Sequence, residues 1–208
     1  MSGTQAAEAP HLRSACETDL REIVRVHQAA FPGFFMTLLG PAFLEAYYRL
    51  VLHHPGKVFY VWTSGNRVRG FAAGCLSPSA FYQELRRHRL RFFLRSLPSL
   101  MFHPSLVRRL VASYLQSGRS TLHEWSGACE LSSIAVDPEV GGQGIGGTLL
   151  HGFVAAIQDR ATSILLTTDA ENNEAVNRFY RHHGFILEET LERSKGRTLN
   201  VYRLDLKS

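Results

Sequence analysis

Several things are scarce or missing in this 208-residue sequence, and each absence removes a class of protein. No uninterrupted apolar run reaches the roughly 18 to 20 residues that a membrane-spanning helix needs. Met1 to Pro10 lacks the basic start and apolar stretch of a secretory signal, so the protein is read as cytoplasmic. Cys16, Cys75 and Cys129 are odd in number and far apart, which argues against a disulfide framework or a paired zinc spacing and leaves buried free thiols as the expectation. Ten histidines include no pair four apart, because His53-His54 and His182-His183 are adjacent. No metal site is therefore expected. Acidic residues vanish between Leu85 and His123, where Arg86, Arg87, Arg89, Arg91, Arg95, Arg108, Arg109 and Arg119 all fall. Such a one-signed stretch attracts anions without saying which.

What is present is ordinary for a globular chain with a real core: 45% of residues are hydrophobic. The length fits one domain over 1–208, or a core carrying an insertion. Leu12 to Cys16 reads as a first strand. Thr18 and Asp19 offer N-cap chemistry before Ile23, Val24, His27 and Ala30, which recur at helical spacing. Pro32, Gly33 and Gly40-Pro41 break and restart the helix, and Phe43 to Val51 forms a second apolar stripe. Val58 to Trp62 and Val68 to Cys75 read as a hairpin about Ser64-Gly65-Asn66. Residues 78–125 differ in kind, being rich in Arg, Leu and Phe at helical period, and read as a helical insertion. Beyond it the pattern alternates: strand Cys129 to Val136, helix from Gly144, strand Thr162 to Thr168, helix Glu174 to His183, and two closing strands. This is a mixed α/β sheet with flanking helices.

The most informative segment runs from Glu130 to Leu150. A β-rich run enters a loop, Gly141, Gly142, Gln143, Gly144, Ile145, Gly146 and Gly147, with five glycines in seven positions at a helix start. Side-chain-free amides at a helix N-terminus suit a phosphate. Gly142, Gly144 and Gly147 also satisfy the G-x-G-x-x-G spacing of dinucleotide sites, and Asp169 follows 22 residues later. Against that reading, Asp137 to Val140 separates strand from loop, and the 61 residues after Gly147 are too few for a doubly wound sheet. No Gly-Lys-Ser/Thr follows, so a nucleoside-triphosphate P-loop is excluded.

The loop resembles the pyrophosphate motif of the GNAT acetyltransferases, Arg/Gln-x-x-Gly-x-Gly/Ala, with Gly144 and Gly146 at the small positions and Gly141 where Arg or Gln is usual. A second run, Asn173 through Val176, Tyr180, Gly184 and Phe185, is similar to the family's Asn-x-x-Ala-x-x-x-Tyr-x-x-x-Gly-Phe signature. The resemblance covers residues 128 to 206 well, 12 to 75 weakly, and 78–125 not at all. It implies a GNAT-type mixed central sheet in which two parallel strands, Cys129 to Val136 and Thr162 to Thr168, splay apart over acetyl-CoA. It further implies backbone contacts to the coenzyme from Ile134, Ala135 and Val136, phosphate contacts from Gly141 to Gly147, and a role for Asn173 in capping its helix or holding the pantetheine arm.

Acetyl transfer to an amine needs a proton acceptor for the amine and a donor for the leaving thiolate. Tyr180 is the expected general acid: a phenol of pKa about 10 can protonate a thiolate whose acid has pKa about 8.5. Glu130 is the expected general base, placed by strand alternation on the face of Ser132, Ile134 and Val136. His123, Glu124 and Asp169 are alternatives, and Thr168 stands where the ribosomal-protein acetyltransferases carry a glutamate. The acceptor is expected to be a small-molecule amine. A protein N-terminus or lysine is the alternative, and nucleic acid is not expected. The stretch 86–110, with Phe92, Phe93, Leu97 and Leu100 beside its arginines, would suit either a lid or peripheral contact with a membrane in a non-catalytic coenzyme-binding or membrane-surface module.

Overall fold

The computed structural model describes residues 9–102, 127–193 and 197–206. Seven strands form one sheet: β1 (His11–Ser14), β2 (Lys57–Ser64), β3 (Arg67–Cys75), β4 (Ala128–Val136), β5 (Ser163–Asp169), β6 (Ile186–Arg193) and β7 (Arg197–Asp205). Their order is β1-β2-β3-β4-β5-β7-β6. Among the described residues only β4 and β5 run parallel; every other neighbouring pair is antiparallel. The mixed α/β sheet expected from the strand and helix pattern is therefore present.

Helices cover both faces. On one lie α1 (Leu20–Ala30), the short α2 (Phe35–Leu38), α3 (Pro41–His53), α4 (Pro78–Arg87) and α5 (Arg89–Phe102); on the other lie α6 (Ile145–Ala155) and α7 (Glu174–His182). Two apolar clusters record the division. Ile23, Tyr48, Phe71, Phe81 and Phe92 pack on the first face, and Leu131, Leu149, Phe153, Ile164 and Tyr180 on the second. The apolar spacing of α1 does what an amphipathic helix should, burying Leu20, Ile23, Val24, Val26 and His27. Asp19 precedes that helix but does not cap it. Its carboxylate takes hydrogen bonds from Arg13 (2.7 and 2.8 Å) and from the Cys16 amide (2.9 Å), tying β1 to the helix start.

The part of 78–125 that lies within the described residues is α4 and α5. Phe81 and Phe92 anchor these helices in the core cluster, while Leu90, Phe93, Leu94 and Leu97 are exposed. His54, at the C-terminal end of α3, is buried and paired with Glu84 of α4 at 3.0 Å. Cys75 and Cys129 are buried thiols as expected, but Cys16 is exposed. His123 and Glu124 lie outside the described residues.

One irregularity positions everything that follows. Opposite β3, the register of β4 steps from Ala73↔Ser133 to Gly74↔Leu131, so Ser132 is an extra residue. Such a β-bulge bends the strand and resets its alternation. The Ser132 hydroxyl secures it by donating to the Ala73 carbonyl at 3.0 Å. Gly74 is required beside it, because a Cβ there would collide with the Glu130 carbonyl oxygen and with the Phe153 ring.

Candidate active site

β4 and β5 pair for only three residues, Ala128↔Ser163, Cys129↔Ile164 and Glu130↔Leu165. β5 then keeps its bonds to β7 through Asp169↔Leu199, while β4 continues to Val136 with no partner on its β5 side. An unpaired strand edge inside a sheet carries backbone N–H and C=O groups that need partners. Here it lines a groove of about 640 Å³. Leu131 to Val136 form one wall, Thr167, Thr168 and Asp169 the other, and Ala175, Val176, Phe179 and Tyr180 of α7 border it on one side of the sheet. On the other side it is bordered by His27, Phe31 and Phe34 to Met36. The groove thus reaches both faces of the sheet through the gap between the strands.

At the α6 side lies the glycine loop. Gly142 and Gly144 have positive φ (77° and 76°), a region that disfavours a side chain, and a Cβ on either would meet nothing within 4 Å. Gly144 is the N-cap of α6 and no side chain caps the helix, so the first-turn amides have no intrahelical acceptor. The acidic residues before the loop are neutralised. Asp137 accepts from Arg25 (2.8 Å) and Arg69 (3.3 Å), and Glu139 from Arg69 (3.0 Å). Burial works against ionisation of Asp137, yet these bonds hold its carboxyl below the usual range. A polyanion therefore meets open amides and no bare carboxylate at the loop, and a coenzyme pyrophosphate fits.

The sequence-predicted residues divide by position. Ile134, Ala135, Val136, Gly146, Asn173 and Tyr180 line the groove. Gly141, Gly142, Gln143, Gly144 and Gly147 form the loop and first turn beside it, and Ile145 is buried in the core, so only its backbone is available. Asn173 precedes α7 without capping it through its side chain. Its amide donates instead to Thr168 Oγ1 at 2.7 Å and to the Asp169 carbonyl at 3.2 Å. Asn177 adds to this clasp: it donates to the Asp169 carbonyl and accepts from Asn200 and Tyr202, so the end of β5 is fixed while β4 diverges. Tyr180 is buried against Phe179, Phe185 and Tyr202, and burial pushes its phenol pKa up, so the proton stays on.

Glu130 departs from the expectation. It does not share a face with Ile134 and Val136, because the extra residue at Ser132 inverts the alternation. Ile134 and Val136 pack with the α6/α7 cluster, whereas Glu130 meets Tyr82 of α4 and Ser133 meets Tyr48 of α3. Glu130 is 5% exposed and is not among the groove-lining residues. Burial pushes its carboxyl up to about 7, against the lowering effect of the hydrogen bond from Tyr82 at 2.8 Å. Its second oxygen, Oε2, is buried without a hydrogen-bond partner among the described residues.

Sequence reasoning missed His27. It lines the groove, is 4% exposed, and has Nδ1 2.6 Å from the Tyr48 hydroxyl, which donates on to Ser133 Oγ at 3.3 Å. Burial pushes the imidazole down to about 4. Residues 27, 48 and 133 are too far apart for any spacing rule to join them.

The groove is thus opened by two diverging parallel strands and closed by a glycine-rich helix start. Residues 107–187 match the family model described as an acetyltransferase (GNAT) domain. Comparison with curated proteins finds no significant match. Among solved structures the chain is similar to a GNAT-family protein from Desulfovibrio desulfuricans (19% identity, TM-score 0.65, covering 96% of this chain and 100% of that one). It is also similar to an N-acetyltransferase from Staphylococcus aureus (18%, TM-score 0.64, 96% and 100%). A third likeness is to the ribosomal-protein alanine N-acetyltransferase from Escherichia coli (16%, TM-score 0.59, 96% and 95%). At these identities the likenesses establish the fold. Among the described residues, no helix is long and apolar enough to cross a membrane, and no group of three His, Cys, Asp or Glu side chains could hold a metal ion.

Proposed function

We propose that this protein is an N-acetyltransferase that moves the acetyl group of acetyl-CoA directly to the primary amine of a small molecule in the cytoplasm. The observation that carries the proposal is the loss of β4–β5 pairing after Glu130↔Leu165, which opens the groove beside the uncapped start of α6. The coenzyme would bring an acetyl thioester, whose carbon is open to amine attack and whose sulfur leaves as thiolate. The amides about Gly142 to Gly147 would hold its pyrophosphate, and the free edge from Ile134 to Val136 its pantetheine arm, with Asn173 at the opposite wall.

Within that frame the residues divide the protons. An amine of pKa near 10 arrives as ammonium and must lose a proton before it attacks. Glu130, held near neutrality by burial, has the proton affinity of a base working near pH 7. Because it lies one residue behind the groove wall, it would act through water admitted beside Ser132. Tyr180, fixed as a neutral phenol, would donate to the departing sulfur. The zwitterion formed by attack carries the second amine proton, which balances the proton given to the thiolate once Tyr180 is recharged.

A second reading has its own observation. The exposed Leu90, Phe93, Leu94 and Leu97 share α5 with Arg91 and Arg95, the composition of a helix that rests on an anionic membrane surface. In that reading the protein is a coenzyme-binding module docked through 86–110, of which 103–110 lie outside the described residues. Incubating the protein with acetyl-CoA and an amine library, including peptides with free N-termini and lysines, while following free thiol separates the readings. Thiol release with a small amine supports the first, release only with peptides moves the acceptor class, and none with any amine despite coenzyme binding favours the module.

A further inference from the structure

The carboxyl of Glu130 is held at one oxygen only. Oε1 lies 2.8 Å from the Tyr82 hydroxyl, and Oε2 is buried with no hydrogen-bond partner among the described residues. An ionised carboxylate can only accept, so in that state the Tyr82 hydroxyl is the donor. Tyr82 reaches Glu130 from α4, in the stretch that the GNAT resemblance does not cover. Two neighbours on that helix fasten it there. Phe81 is 2% exposed, with its ring 5.5 Å from that of His54 and 6.0 Å from that of Tyr47, and Glu84 pairs with His54 at 3.0 Å. A phenylalanine at 82 would pack on the same apolar cluster. What the hydroxyl adds is the bond to Glu130.

The other groups that bear on the carboxyl cannot replace that bond. They are Tyr47 of α3, Cys75 of β3 and Cys129 of its own strand, and its partner on β5, Leu165, is apolar. Burial pushes the phenols of Tyr47 and Tyr82 and both thiols up, so each is uncharged near neutrality. Burial of Glu130 favours its neutral acid. Among the described residues, the hydrogen bond from Tyr82 is the one influence that favours the carboxylate.

We infer that Tyr82 is a positioning residue of the acetyl transfer: its hydroxyl holds Glu130 by Oε1, so that Oε2 is the oxygen that takes the amine proton. This rests on the reading of Glu130 as the base, and it gives the helical insertion a working part in the site. The ammonium gives a proton to water beside Ser132, and that water passes one of its own to Oε2. The nitrogen keeps the electron pair that attacks the thioester, and Glu130 becomes a neutral acid. Tyr82 gives up no proton. Its bond is strongest to the anion, so it sets how readily Glu130 ionises.

The test compares the wild type with Tyr82→Phe and Glu130→Gln. The Glu130 carboxyl would be titrated by carbon-13 NMR of protein labelled at the glutamate side-chain carboxyls, its signal being the one missing from Glu130→Gln. Its midpoint should lie near 7 in the wild type and about one pH unit higher in Tyr82→Phe. Thiol release from acetyl-CoA would be followed against pH with 2-phenylethylamine, spermidine and an alanine-first peptide as acceptor probes. In Tyr82→Phe, kcat/KM should fall roughly tenfold at pH 6 and little at pH 9, because the acid limb moves with the carboxyl. Should Tyr82→Phe not fold, 3-fluorotyrosine at 82 keeps the shape, is a stronger donor and should move the midpoint down. An unmoved midpoint, or a rate loss equal at every pH, would make Tyr82 a packing residue and overturn the proposal. An acid limb that survives in Glu130→Gln would instead remove Glu130 as the base, and no thiol release from any probe by the wild type would sink the acetyltransferase reading itself.

Discussion

The two faces of the sheet serve the groove by different means. On the α6/α7 face the proposed coenzyme contacts are mainly backbone: the open amides at Gly142 to Gly147 and the free edge of β4. The α1/α3 face offers side chains buried at some cost, with His27 pushed down, Glu130 pushed up, and Tyr47, Tyr48 and Tyr82 pushed up by the same desolvation. A pyrophosphate is the same in every coenzyme molecule, so a fixed array of amides suffices for it. Proton transfer and acceptor choice depend on ionisation state, which only burial and neighbouring groups can set. In the proposed scheme the α6/α7 face holds the coenzyme mainly through backbone and adds one reacting group, Tyr180, while the α1/α3 face contributes buried side chains.

The largest effect should come from the one proton donor that stands on the coenzyme face. Tyr180→Phe keeps the ring and its packing on Phe185 and Tyr202. Turnover should fall roughly 10- to 10⁴-fold while the acetyl-CoA melting shift persists. Unchanged turnover would move the proton donor to the other face and break the division drawn here.

A smaller effect sharpens the contrast through pH. Glu130 has its pKa raised from 4.5 to about 7, so between those values the folded protein holds a proton that the unfolded chain has released. Stability contributed by this group is present at low pH and is lost as pH rises through that window. His27, lowered from 6.5 to about 4, works in the opposite sense: the unfolded chain binds the extra proton, so its contribution grows as pH rises from about 4 to 6.5. The two largely mask each other in the wild type. Glu130→Gln removes one of them, and denaturant unfolding at pH 5 and pH 8 should show its stability relative to wild type improving by roughly 2 to 4 kcal/mol over that range. A difference that stays flat between the two pH values would mean that Glu130 is not the buried acid described.

The same division explains what was legible in the sequence. A backbone site writes itself locally, because glycine adopts the positive φ of Gly142 and Gly144 without strain; the loop was readable for that reason, and the splay was implied by the resemblance of the loop and the Asn173–Tyr180 run to the GNAT motifs. Side-chain sites are assembled from positions distant along the chain. His27, Tyr48 and Ser133 meet only once α1 and α3 pack on β4, and no periodicity joins them. The misplacement of Glu130 has a single cause, the extra residue at Ser132, since a bulge is invisible to a rule of strict alternation. Asn173 sits where a helix cap was expected, but its Nδ2 donates to Thr168 Oγ1 and the Asp169 carbonyl and its side chain makes no cap bond to α7.

The central claim is that the groove between β4 and β5 takes acetyl-CoA on the open amides at the start of α6. The melting temperature of the wild type and of Gly144→Val, each with acetyl-CoA and with NADH, tests it most directly. Acetyl-CoA at about 100 times its Kd should stabilise the wild type by about 2.7 kcal/mol, a rise of roughly 5 to 10 °C, with no shift from NADH. A folded Gly144→Val protein, with a branched side chain in the cradle, should lose the shift. A rise with NADH and none with acetyl-CoA, or a full acetyl-CoA shift in Gly144→Val, would contradict the account.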